Sequence, residues 1–93
     1  MHVVVQHRIT DLEKFNTMDA KEVAGGGPTG SHLQQFLPPK DGSVATCVWQ
    51  TNSIDTLRGY LDPATDGVTE NAYFEVDSEQ AMGLPETAAA GAS

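Results

Sequence analysis

Three histidines, one cysteine and one tryptophan are the residues whose chemistry stands out in this chain, and their spacing sorts them. His2 and His7 lie five apart in an apolar run that reads as a strand; an odd offset puts their side chains on opposite faces, so they cannot share a metal ion. His7 shares its parity with Val3, Val5 and Ile9, the face expected to turn toward the helices. A titratable ring on an apolar face, near the end of a strand, can act as a general base or donate a hydrogen bond to a ligand. The alternative is a core histidine bonded to a backbone carbonyl. His7 is the candidate catalytic residue.

Trp49 and Cys47 share one face of a later strand, and Tyr73 and Glu75 one face of the last. An indole, a phenol and a carboxylate would give a cavity an apolar wall with a few polar handles. Trp49, Tyr73, Glu75 and His32 are therefore the candidate substrate-binding residues; the competing roles are packing for Trp49 and solvent or interface positions for Tyr73 and Glu75. Cys47 has no basic neighbour to stabilise a thiolate and reads as an inert buried thiol. Arg8, on the face opposite His7, suits a surface ion pair, with a substrate carboxylate as the alternative. The stretch Gly25–Gly30 lacks the Lys-Ser/Thr of a phosphate loop and reads as a connection that could cover a pocket. Spacing identifies no Ser-His-Asp or Cys-His grouping.

The elements that must position these residues follow a clear order. His2–Ile9 carries valines on both parities, which suits a central strand, and Ser43–Gln50 does the same, with Val44 and Val48 opposite Ala45, Cys47 and Trp49. Thr10-Asp-Leu-Glu13 reads as a capping box opening a helix, with Leu12, Phe15, Met18 and Val23 as its apolar stripe and Gly25-Gly26-Gly27-Pro28 as its end. Ser31–Leu37 is a second strand closed by Pro38-Pro39, and Lys40-Asp41-Gly42 turns the chain into the third. Asn52 or Ser53 caps a second helix with Ile54, Leu57 and Leu61 on one side; Asp62-Pro63 is expected to stop it. After a loop over Ala64–Glu70, Asn71–Asp77 is the last strand.

The order β-α-β-β-α-β predicts an α+β, ferredoxin-like sandwich: a four-stranded antiparallel sheet in the order 4-1-3-2, with both helices on one face. In that order the first and second strands are not neighbours, which argues against a metal held by His7 and His32. No metal and no cofactor are expected. Residues 1–85 are read as one domain and residues 86–93 as a disordered tail.

Thirteen acidic against five basic residues give a net charge of −8, which disfavours nucleic acid and anionic lipid surfaces as partners. The chain shows no basic region followed by a long apolar run and no stretch of the roughly 18 apolar residues that span a bilayer. A single cysteine fits a reducing compartment, so a cytoplasmic protein is expected. A chain of 93 residues hides only about 60–65 % of its unfolded surface when it folds alone. The sheet face without helices would then need a partner, and homodimerisation is expected.

The chain resembles the dimeric α/β-barrel superfamily, which includes antibiotic-biosynthesis monooxygenase-like and stress-responsive barrel proteins. The resemblance is carried by Ile9-Thr-Asp-Leu-Glu-Lys-Phe15, Asp41-Gly-Ser-Val-Ala-Thr-Cys-Val-Trp49 and Ser53-Ile-Asp-Thr-Leu-Arg-Gly-Tyr-Leu61. It implies a homodimer whose sheets face each other to form a barrel, with a cavity in each subunit between sheet and helices. It further implies a small apolar or aromatic ligand and, in some members, cofactor-independent oxygenation, isomerisation or cyclisation; other members bind ligands or metals, or respond to stress, without known catalysis. The cofactor-free oxygenases often rely on an asparagine and a tryptophan around the cavity, and neither Asn16 nor Asn52 stands in such a motif beside Trp49.

Overall fold

In the computed structural model, residues 1–18 and 27–84 are described. The elements are β1 (His2–Ile9), α1 (Leu12–Thr17), β2 (His32–Leu37), β3 (Val44–Gln50), α2 (Ile54–Ala64) and β4 (Thr69–Glu75). The strands form one antiparallel sheet ordered β2-β3-β1-β4, which read from the β4 edge is 4-1-3-2. β1 and β3 are central. Their two-sided apolar character is the reason: a strand with valines on both faces loses least when neither face meets water alone.

Register assigns the faces. Val3 pairs with Trp49, Val5 with Cys47 and His7 with Ala45, so these six residues share the helix side of the sheet. Asn71 stands opposite His7 on the other flank of β1, and Tyr73 opposite Val5. The core on this side is Val3, Val5, Cys47 and Trp49 packed under Leu57 and Leu61 of α2, with Leu33, Ile54, Tyr60 and Tyr73 around them. Leu57 and Leu61 stand four apart, one turn of α2, and therefore press on the sheet together.

β2 and β3 each start one residue later than expected and β4 ends at Glu75 instead of Asp77; four other boundaries depart more tellingly. The N-cap of α1 is Asp11 rather than Thr10: its carboxylate accepts from the Lys14 amide at 3.0 Å, one residue beyond the Glu13 amide that the capping box would have paired with Thr10. α1 closes at Thr17 with Met18 as its C-cap, and Leu12 is 47 % exposed, so the expected stripe is short; Val23, Gly25 and Gly26 lie outside the described residues. α2 runs through Pro63 to Ala64 instead of stopping at Asp62. The carbonyl that Pro63 leaves unpaired is that of Gly59, and both residues are exposed, so water can take the lost bond. β4 begins at Thr69, two residues earlier than the polar sequence suggested, because Ile9 of β1 offers Thr69 a cross-strand partner. The residues read as a tail also lie outside the described range, and no described helix is long and apolar enough to cross a membrane.

The β2–β3 turn is set by two local features. The Asp41 carboxylate accepts from the Ser43 amide at 3.0 Å and from its hydroxyl, bonds that hold the Asp41 carboxyl below the usual range. Gly42 adopts φ +73°, a left-handed conformation that glycine takes without steric cost.

The face away from the helices is apolar along its middle. Phe74, Val4 and Val48 form one cross-strand row, with Phe74 52 % exposed and Val44 and Leu37 also open to solvent. Arg8 and Glu70 form an ion pair on the same face.

Candidate functional site

Between the sheet and the two helices lies a cavity of about 40 Å³. Its floor is His7 of β1, Cys47 and Trp49 of β3, Leu33 and Phe36 of β2 and Thr69 of β4; its roof is Phe15 and Met18 from α1 with Leu61 and Thr65 from α2. The volume exceeds the about 10–15 Å³ that one water needs and falls short of the about 300–1,000 Å³ of drug-sized pockets. As it stands it has room for roughly one or two waters, or for one end of a molecule that extends beyond it.

A bulge in β2 makes this floor apolar. Register slips between Leu33 and Gln35, so Leu33 faces Trp49 and Phe36 faces Cys47 although the two residues are three apart. Without the slip, an odd offset would send one of them to the opposite face.

Trp49 is 1 % exposed, and its indole Nε1 has no acceptor among the described residues. Its benzo edge lies close to Gly27, where a Cβ would stand 3.0 Å from Cζ3, so a larger residue there would press on the ring. Cys47 is buried, and desolvation pushes its thiol up to about 12, so it lines the wall as a protonated, soft apolar group.

His7 is 6 % exposed, and it is the ionisable side chain of the cavity floor held by a side-chain network. Its Nδ1 lies 2.7 Å from Asn71 Oδ1, which also accepts from the Thr69 hydroxyl at 2.6 Å. The Asn71 amide nitrogen donates to the Asp62 carboxylate at 3.0 Å and to Thr65 Oγ1 at 2.8 Å. Tyr73 donates its phenol to the same Asp62 oxygen at 2.6 Å, and the Arg58 guanidinium sits 5.0 Å from the Tyr73 ring centroid. Burial lowers the His7 pKa below its ordinary value, partly opposed by the Asn71 bond and the nearby Asp62 charge. The Tyr73 phenol is pushed up, first by burial and then by its bond to Asp62.

The structure thus brings together some of the residues named from sequence. His7 and Trp49 line the cavity. Tyr73 stands beside it on the helix side and reaches His7 through Asp62 and Asn71. His32 does not join them: it pairs with Gln50, which pairs with His2, so it belongs to the opposite face and is exposed. Glu75 stands opposite Val3 on the edge strand, exposed and away from the cavity wall. His7 bonds a side chain and not the backbone carbonyl of the alternative reading. Arg8 has its partner in Glu70. Sequence reasoning passed over Asn71, Asp62, Thr65 and Thr69; the one available signal was that Asn71 shares its parity with Tyr73. Among the described residues, no group of three or more His, Cys, Asp or Glu side chains is placed to hold a metal ion.

The chain matches no protein-family model, no curated protein and no solved structure.

Proposed function

We infer that this chain binds a small apolar or aromatic molecule between its sheet and helices, as a homodimer joined through the open sheet face. The observation that supports the reading is the cavity itself: a lining drawn from all six elements and mostly aromatic or aliphatic, with one imidazole on its floor. Such a ratio of apolar wall to polar handle orients a ligand without a strong charge. The second copy is the expected cover for Phe74, Val4, Val44 and Leu37, whose exposure on one face is costly in water. Together these features support a dimeric α/β barrel of the kind the sequence resembles, and the single cysteine supports a cytoplasmic protein.

Within that reading His7 is the acid or base, and Trp49 is the wall against which a ring packs, with Tyr73 acting on His7 from behind. Cofactor-independent oxygenation, isomerisation or cyclisation are the reactions such a site would support. A non-catalytic ligand-binding or assembly module is the second reading, favoured by the small volume of the cavity.

Native mass spectrometry before and after mild denaturation tests the binding and the assembly. A dimer carrying a mass that leaves on unfolding supports both; a monomer refutes the assembly. Turnover is tested on any ligand so identified: loss of activity in a folded, dimeric His7→Ala supports the enzyme, and full activity removes His7 from the mechanism.

A further inference from the structure

We propose that Asn71, anchored by Asp62 and Thr65, is a positioning residue that fixes His7 in the tautomer with a bare Nε2, so that the cavity selects a small neutral ligand whose polar end donates a hydrogen bond. The ligand half of this rests on the cavity being a binding site; the tautomer half does not.

The argument follows the protons. A carboxylate only accepts hydrogen bonds, so the Asn71 group facing Asp62 at 3.0 Å is its NH₂. A second contact fixes the amide independently. Thr65 spends its single hydroxyl proton on the Leu61 carbonyl at 2.9 Å, so toward Asn71, at 2.8 Å, its oxygen can only accept. Both contacts therefore turn the Asn71 nitrogen toward α2 and its oxygen toward β1. That oxygen, already taking the Thr69 proton, is a pure acceptor, and the His7 Nδ1 only 2.7 Å away must be the donor. A neutral imidazole carries one ring proton; with it on Nδ1, Nε2 keeps a lone pair. Burial favours the neutral ring. The ring lines the cavity, so the polar atom it offers a ligand is an acceptor. Asn71 and Asp62, which do not line the cavity, thereby set the hydrogen-bonding sign of the site.

Two measurements on the full chain separate the halves. Long-range proton–nitrogen NMR of the ¹⁵N-labelled protein at pH 8, with His7 assigned by its disappearance in His7→Gln, distinguishes a protonated ring nitrogen from a bare one. Expected is a protonated Nδ1 and a bare Nε2 in the wild type. Asn71→Ala should lose that pattern. A protonated Nε2 in the wild type, or an unchanged pattern in a folded Asn71→Ala, overturns the positioning role. For the ligand, Trp49 fluorescence is titrated with phenol, anisole and toluene. Phenol should bind about five- to tenfold more tightly than anisole, a donor against an acceptor of similar shape. Equal affinities overturn the donor selectivity while leaving the cavity as a binding site. No binding by any of the three overturns the cavity reading and the ligand class with it, and leaves the tautomer result to stand alone.

Discussion

Leu61 is the residue through which the cavity can be tested by stability alone. It is 2 % exposed on α2 and borders the cavity, whereas Leu57, one turn earlier and 0 % exposed, belongs to the closed core. Truncating a buried leucine to alanine costs about 2–5 kcal/mol, and the value within that range depends on how many contacts the lost atoms made. Leu61 already faces empty space on one side and has fewer contacts to lose, so Leu61→Ala should cost about 2–3 kcal/mol and Leu57→Ala about 3–4 kcal/mol. For a 93-residue chain the total stability is about 5–14 kcal/mol, so both variants should fold. Urea titration followed by the fluorescence of Trp49, the single tryptophan, measures both; with a slope of about 1–3 kcal/mol per molar, the midpoints should fall by about 0.7–4 M. Leu61→Ala also joins its new space to the existing cavity, while Leu57→Ala opens an isolated gap of side-chain size. Toluene at ten times its Kd should therefore return about 1.4 kcal/mol to Leu61→Ala and little to Leu57→Ala. If Leu61→Ala is the costlier of the two and toluene helps neither, no cavity lies under α2.

Further outcomes follow from the same residues. His7 has a folded pKa below its unfolded value near 6.5, so the unfolded chain binds the extra proton in the interval between them; stability should be level above pH 6.5 and fall as the pH drops toward the folded value. Urea midpoints from pH 5 to 8 should show that fall in the wild type and a weaker one in His7→Gln, with Asp62 the charged group facing the ring in both. Cys47, with its thiol up at about 12, should react with a disulfide reagent at neutral pH only as fast as the protein unfolds, as a colour assay in increasing urea would show. Arg8→Ala should change stability by less than about 1 kcal/mol, because its side chain and that of Glu70 are 61 % and 66 % exposed.

The fold was legible where hydrophobic pattern alone decides position. Two strands with apolar residues on both parities, separated by a helix signature and a strand that ends in Pro-Pro, leave few arrangements other than β1 and β3 at the centre. Boundaries were less legible because several residues could serve equally. Thr10 and Asp11 are both good caps; the chain is still extended at Asp11, φ −138° and ψ 95°, so the helix starts after it. Pro63 reads as a stop because a proline removes a helical hydrogen bond; near the end of α2, on an exposed side, that loss is small enough to tolerate.

The site divides along a different line. The side on which His7 and Trp49 lie follows from parity within one strand, and both line the cavity. Which residue meets His7 depends on register between strands, and register is set by turns and bulges whose effect is invisible in composition. Asn71 faces His7 because β4 runs antiparallel to β1 in the register that sets Thr69 opposite Ile9 and Tyr73 opposite Val5. Asp62 was read only as part of a helix stop. Once α2 continues past it, the same carboxylate is held against β4, where it meets both the Asn71 amide and the Tyr73 phenol. The two further residues of helix, tolerated because Pro63 is exposed, thus keep Asp62 where it turns the Asn71 amide toward α2 and its oxygen toward His7.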